Sequence, residues 1–170
     1  MKHTFWNKAA VYGIVLALVS VFFMVTQTVL EPARWLNIVL WMAKLAGTLG
    51  LLFYFMKDFG AGKESYTYSD AFKFGMAVSF CSSIIAAGYY YLHIMFIFPD
   101  STVQISNAMM MGFEQAGINS DGFNMDKFIA RLPVIMMVSQ FIYFNILGLI
   151  WSSILAGGAK QKVVTSPFDN

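Results

Sequence analysis

Apolar residues in this chain run in four long blocks separated by shorter polar segments. The blocks cover residues 9–30, 35–56, 71–98 and 132–156. Each reaches the roughly 20 residues that a helix needs to cross the hydrocarbon core of a bilayer. Glu31-Pro32 stops the first and Lys57-Asp58 the second, Pro99-Asp100 stops the third, and Gly157-Gly158 stops the fourth before Lys160 and Lys162. The third is long enough to tilt or to project beyond the bilayer. Pro133 falls in the first turn of the fourth, where its missing N–H costs nothing. The pattern predicts an all-α polytopic membrane protein, with four transmembrane helices packed as a compact bundle in a single membrane domain over residues 1–170.

The connection over 99–131 has its own pattern. Residues 102–116 predict a helix with Val103, Met110, Phe113 and Ala116 near one face, ended by Gly117. Asn119-Ser120-Asp121-Gly122 reads as a turn, and Asn124 as the cap of a short helix leading into the fourth span. Interfacial helices are usually basic. This one carries Glu114, which favours a helix capping the bundle over one lying on the membrane surface.

Small residues recur where helices would touch. Gly75, Ser79, Ser83 and Ala87 stand at four-residue spacing in the third span, widened by Ser82 and Ala86. The second span offers Ala43, Ala46, Gly47 and Gly50, the fourth Gly148, Ser152 and Ala156, and the first Gly13 and Ala17. Close approach of helices in lipid uses such faces. An aromatic-glycine pair near the start of the first span (Tyr12-Gly13) resembles one in the third (Phe74-Gly75), which is compatible with a duplicated hairpin.

Composition agrees with lipid as the solvent. The chain is 58% hydrophobic and 12% charged over 170 residues, against about a quarter charged in ordinary soluble domains. A net charge of +2 without a basic patch gives no case for a nucleic-acid partner. One cysteine, Cys81, excludes an intrachain disulfide and a cysteine-based zinc site, and the two histidines are His3 and His93. No metal site and no cofactor is expected.

Orientation follows the basic residues. Lys2, Lys8, Lys57, Lys63, Lys73, Lys160 and Lys162 fall on one side, and Arg34, Lys127 and Arg131 on the other. Both termini are therefore expected in the cytoplasm, with residues 99–131 on the far side. The first apolar block is long for a signal core and lacks a small-x-small site after it, so it is expected to remain as a span.

Entry into the third span reads Tyr66-Thr67-Tyr68-Ser69-Asp70-Ala71-Phe72-Lys73-Phe74-Gly75. Ser69 is the expected helix cap, Asp70 complements the helix dipole, and Lys73 can reach inner-leaflet phosphates. With Lys57-Asp58-Phe59 before it, the Phe-Pro-Asp at the close of the third span and Gly148-Leu149-Ile150-Trp151-Ser152-Ser153-Ile154 near the end, this stretch resembles a family of small four-span membrane proteins of Bacteroidota, domain-of-unknown-function family 4199. That family carries a similar S-x-x-x-A-F-x-x-G stretch. The resemblance implies a bacterial inner-membrane protein whose gene is often found near that of a membrane glycosyltransferase; it brings no catalytic residues.

One residue breaks the apolar pattern. Lys44 stands about 15 Å along a helix from Arg34 and about 20 Å from Lys57, near the middle of a core about 30 Å thick. No Asp or Glu falls inside the four blocks. The polar groups that do are Gln27, His93, Gln140, Asn145 and tyrosines, and Gln140 is the best match in depth. Three readings stand. Lys44 snorkels outward along Trp41 and Trp35, or it is neutral and hydrogen-bonded to Gln140 or a tyrosine, or it meets an acid supplied from outside the chain. His93 reads as a hydrogen-bonded anchor and Cys81 as inert packing.

Two functions follow. The first is a non-enzymatic accessory or assembly subunit of an envelope membrane complex, with a membrane-protein partner or a homo-oligomer, and lipid around it. The alternative is a small transporter or handler of an anionic or lipid-linked substrate using Lys44; under either reading Lys44, Gln140, Asn145, Gln27 and His93 are the expected substrate or partner contacts. An enzyme is not expected, since no nucleophile–base pair or carboxylate dyad is present.

Overall fold

The computed structural model describes residues 2–30, 33–61, 63–117 and 125–160. The chain is all-α. Helix α1 covers Lys2–Leu30, α2 Arg34–Gly60, α3 Tyr68–Leu92, α4 Asp100–Gln115 and α5 Met125–Ala159, and a π-helical turn over His93–Ile97 extends α3. Four stretches are long and apolar enough to cross a membrane: Thr4–Leu30, Arg34–Gly60, Tyr68–Ile97 and Lys127–Ala159.

These helices run beyond the apolar blocks, which corrects three local expectations. First, α2 continues through Lys57 and Asp58 to Gly60, because a charged pair in the last turn does not interrupt backbone hydrogen bonding. Second, α3 is capped by Thr67 rather than Ser69. The Asp70 N–H donates to Thr67 Oγ1 at 3.2 Å, and the Thr67 N–H donates to Asp70 Oδ2 at 3.2 Å, the reciprocal arrangement of a capping box. Third, Pro133 lies inside α5, not in its first turn. There it removes one internal hydrogen bond. Asn124 and the turn at residues 119–122 lie outside the described residues.

The described chain divides into two compact units, residues 1–86 with 143–170, and residues 87–142. In the first unit, helices meet where glycine permits. A methyl group at Gly13 of α1 would sit 2.6 Å from the Cys81 Cβ of α3. One at Gly148 of α5 would sit 2.5 Å from the Ser79 Cβ, and one at Gly75 of α3 would sit 2.7 Å from the Ser152 hydroxyl. The Tyr68 hydroxyl adds a hydrogen bond to the Ser153 carbonyl at 3.0 Å. At Gly47 and Gly50 of α2 an added methyl meets nothing within 4 Å among the described residues.

At one end of this unit the start of α1, the end of α2 and the start of α3 enclose an aromatic core. Phe74, fully buried, stacks on Phe59 with ring centroids 3.8 Å apart and takes edge contacts from Phe5 and Tyr12. Tyr12 stacks in turn on Phe55 at 4.3 Å. Lys8, Lys57, Lys63, Lys73 and Lys160 lie at or beside these helix ends, so it is called the basic end below.

The second unit holds the end of α3, the π-helical turn, α4 and the first half of α5. The Phe98 N–H donates to the His93 carbonyl at 2.7 Å, closing the turn. Phe98 then leaves helical geometry because Pro99 crowds the residue before it. Helix α4 ends at Gln115, and Gly117, two residues on, turns the chain with a φ of 65° that suits glycine. Its inward side is Ser106, buried, with Thr102, Met109 and Phe113 half-buried, while Val103, Met110, Met111 and Ala116 are exposed. Phe113 therefore leaves the face on which it was expected.

Overpacking a tight contact destabilises by about 1–3 kcal/mol. Gly75→Val and Gly148→Val are each expected to lose that much in a thermal or denaturant unfolding assay of the purified chain in detergent. Gly47→Ala should stay within about 0.5 kcal/mol of the parent. Equal losses at all three positions would contradict the sorting of these glycines.

Candidate functional site

Lys44 occupies the sixteenth position before the end of α2 at Gly60, Ser83 the fifteenth after the start of α3 at Tyr68, and Asn145 the fourteenth before the end of α5 at Ala159. At helical rise these are about 24, 22 and 21 Å from the basic end. The three helices thus present polar groups at one level of the first unit.

The contacts agree with that level. The Asn145 amide donates to Ser83 Oγ at 2.8 Å, and Ser83 Oγ donates to the Phe80 carbonyl at 2.8 Å. The Lys44 ammonium lies 5.9 Å from the ring centre of Phe144, one residue from Asn145. Thr48 Oγ1 donates to the Lys44 carbonyl at 2.8 Å. Lys44 is half-buried, and among the described residues no carboxylate lies within ion-pair distance of it.

Magnitudes decide how complete this site is. Placing a lysine at the centre of a spanning helix costs about 3 kcal/mol on insertion scales. A cation–π contact returns about 0.5–2 kcal/mol, and at 5.9 Å this one stands at the outer limit of the geometry. The contacts among the described residues therefore offset only part of the charge.

Of the other residues singled out from sequence, Gln140 lies on α5 five residues before Asn145 and belongs to the second unit. Gln27 donates to the Asn37 side chain at 2.9 Å and ties α1 to α2 away from Lys44. His93 is buried in the second unit with its ring 5.7 Å from Tyr89 and 4.9 Å from Phe98. Ala87, also buried, belongs to that unit.

A second polar cluster lies at the basic end and was not anticipated. The Tyr12 hydroxyl donates to Asp58 Oδ2, and Lys8 Nζ lies 3.7 Å from the same oxygen. Lys63 Nζ stands 3.8 Å from the ring centre of Phe59 and 5.2 Å from that of Tyr66. One signal was available: Lys8 and Tyr12 are four residues apart on one helix face, opposite the lone carboxylate that closes the second apolar block. Among the described residues no group of three or more His, Cys, Asp or Glu side chains is placed to hold a metal.

A family model described as "Protein of unknown function (DUF4199)" matches residues 8–160. The chain belongs to the DUF4199 family. No curated protein and no solved structure matches it. The DUF4199 match begins at Lys8 and closes at Lys160, so it takes in both polar clusters and most of all four apolar helices.

Tyr66 gives the basic end a measurable pH response. Its ring fills the space beside Gly60, and its hydroxyl is buried with no hydrogen-bond partner among the described residues. Burial, and then the nearby Asp70 carboxylate, push its pKa above the ordinary 10.0. The folded chain keeps this proton at pH values where the unfolded chain has lost it, so stability falls as pH rises past about 10. Tyr66→Phe removes that dependence. The variant is expected to match or exceed the parent at neutral pH, since no hydrogen bond is lost, and to lose less stability in an unfolding titration above pH 10.

Proposed function

We propose that this protein is a non-enzymatic accessory or assembly subunit of an envelope membrane complex, held in the bacterial inner membrane with both termini in the cytoplasm. The observation that carries the reading is the sorting of its small residues. Gly13, Gly75 and Gly148 are each filled by a neighbouring helix of the same chain. Gly47 and Gly50, with Ala43 and Ala46, stay exposed on α2. In lipid, small-residue faces serve close helix approach, so the open one on α2 suits a helix from another protein.

A second reading is handling of an anionic or lipid-linked substrate. Its support is Lys44, a half-buried cation with no carboxylate within ion-pair distance among the described residues.

Native purification separates the two. The chain, tagged at its C-terminus and extracted gently from its own host's membranes, is expected to bring a membrane protein at near-stoichiometric yield. A monomer carrying a retained anionic lipid and no protein would move the assignment to the second reading.

A further inference from the structure

Lys44 narrows what the partner must carry. It stands about 15 Å from Arg34 and about 24 Å from Gly60 along α2, and a lysine side chain spans only part of either distance. A lipid phosphate stays at headgroup level. A carboxylate on a spanning helix can stand at any depth.

A second copy of this chain does not supply the acid. The nine Asp and Glu residues are Glu31, Asp58, Glu64, Asp70, Asp100, Glu114, Asp121, Asp126 and Asp169. None falls within residues 2–30 of α1, 34–57 of α2, 71–97 of α3 and its π-helical turn, or 127–159 of α5. Asp58, the nearest along α2, is already held by Tyr12 and Lys8 at the basic end. Symmetric pairing through α2 would instead set lysine against lysine.

We infer that α2 docks a transmembrane helix of a different protein, and that this helix carries an Asp or Glu that pairs with Lys44. The inference rests on the accessory-subunit reading and deepens it. Gly47 stands one turn from Lys44 and lets a foreign backbone come close at the level of the charge.

The test places a photo-crosslinking amino acid at Gly50 of the full chain in its host's membranes and identifies the adduct by mass spectrometry. Native purifications of the parent, Lys44→Arg, Lys44→Met and Lys44→Glu run in parallel, each normalised to the chain recovered. The expected adduct is an integral membrane protein with an Asp or Glu inside a span. Its yield should hold within about twofold in Lys44→Arg, fall at least tenfold in Lys44→Met and vanish in Lys44→Glu. Changing that acid to Asn or Gln in the partner should give the same loss. Adducts with lipid alone, with a second copy of this chain, or with a protein lacking an intramembrane acid overturn the inference. A partner retained equally by Lys44→Met overturns it while the accessory reading stands; no partner at all removes both. Should Lys44→Met fail to accumulate, the identity of the parent's adduct and the partner's Asn or Gln variant decide.

Discussion

Helices in lipid gain nothing from burying apolar surface against one another, because the surrounding tails are just as apolar. What remains is contact, and contact requires backbones close enough to interlock. In the first unit this condition is met at three glycines. Gly13 brings α1 onto α3, while Gly75 and Gly148 bring α5 onto α3. Helix α3 therefore receives neighbours on two adjacent faces, one lined by Val78, Cys81 and Ser82, the other by Gly75, Ser79 and Ser83. The aromatic core at the basic end depends on the same approach, since Phe74 reaches Phe5 and Tyr12 only if α1 and α3 are nearly touching.

Much of this was legible in the sequence, and the reason is physical. A run of some 20 apolar residues has few structural solutions, so four membrane-length helices could be read directly. So could the glycine end of α4 and the small stripe of α3. Helix ends were less legible. Hydropathy fades where a span enters water, but hydrogen bonding continues, so α2 ran on through Lys57 and Asp58 and α5 began before residue 132. The contact of Lys44 with the Phe144 ring was not read from the sequence either, since an aromatic residue in an apolar run carries no mark of what it faces. The pairing of Tyr12 with Asp58 was hidden for a related reason: a charge read as a stop signal is not asked whom it faces.

The two polar clusters differ in completeness. At the basic end Asp58 receives a hydroxyl and an ammonium, and Lys63 lies against two rings, so charges near water are partnered within the chain. At the level of Lys44 the Asn145 amide donates to the Ser83 hydroxyl, while the ammonium, among the described residues, meets a ring at 5.9 Å and no carboxylate. Uncompensated charge is cheap at the first location and expensive at the second. Among the described residues Lys44 on α2 is thus the charge with least compensation.

The meeting of Gly13 with Cys81 has a practical side. Cys81 is the chain's single cysteine, and its Cβ lies against the backbone of α1. The residue is half-buried beside this seam. The native protein thus carries its own chemical label next to the α1–α3 contact, usable in living membranes without any engineered cysteine.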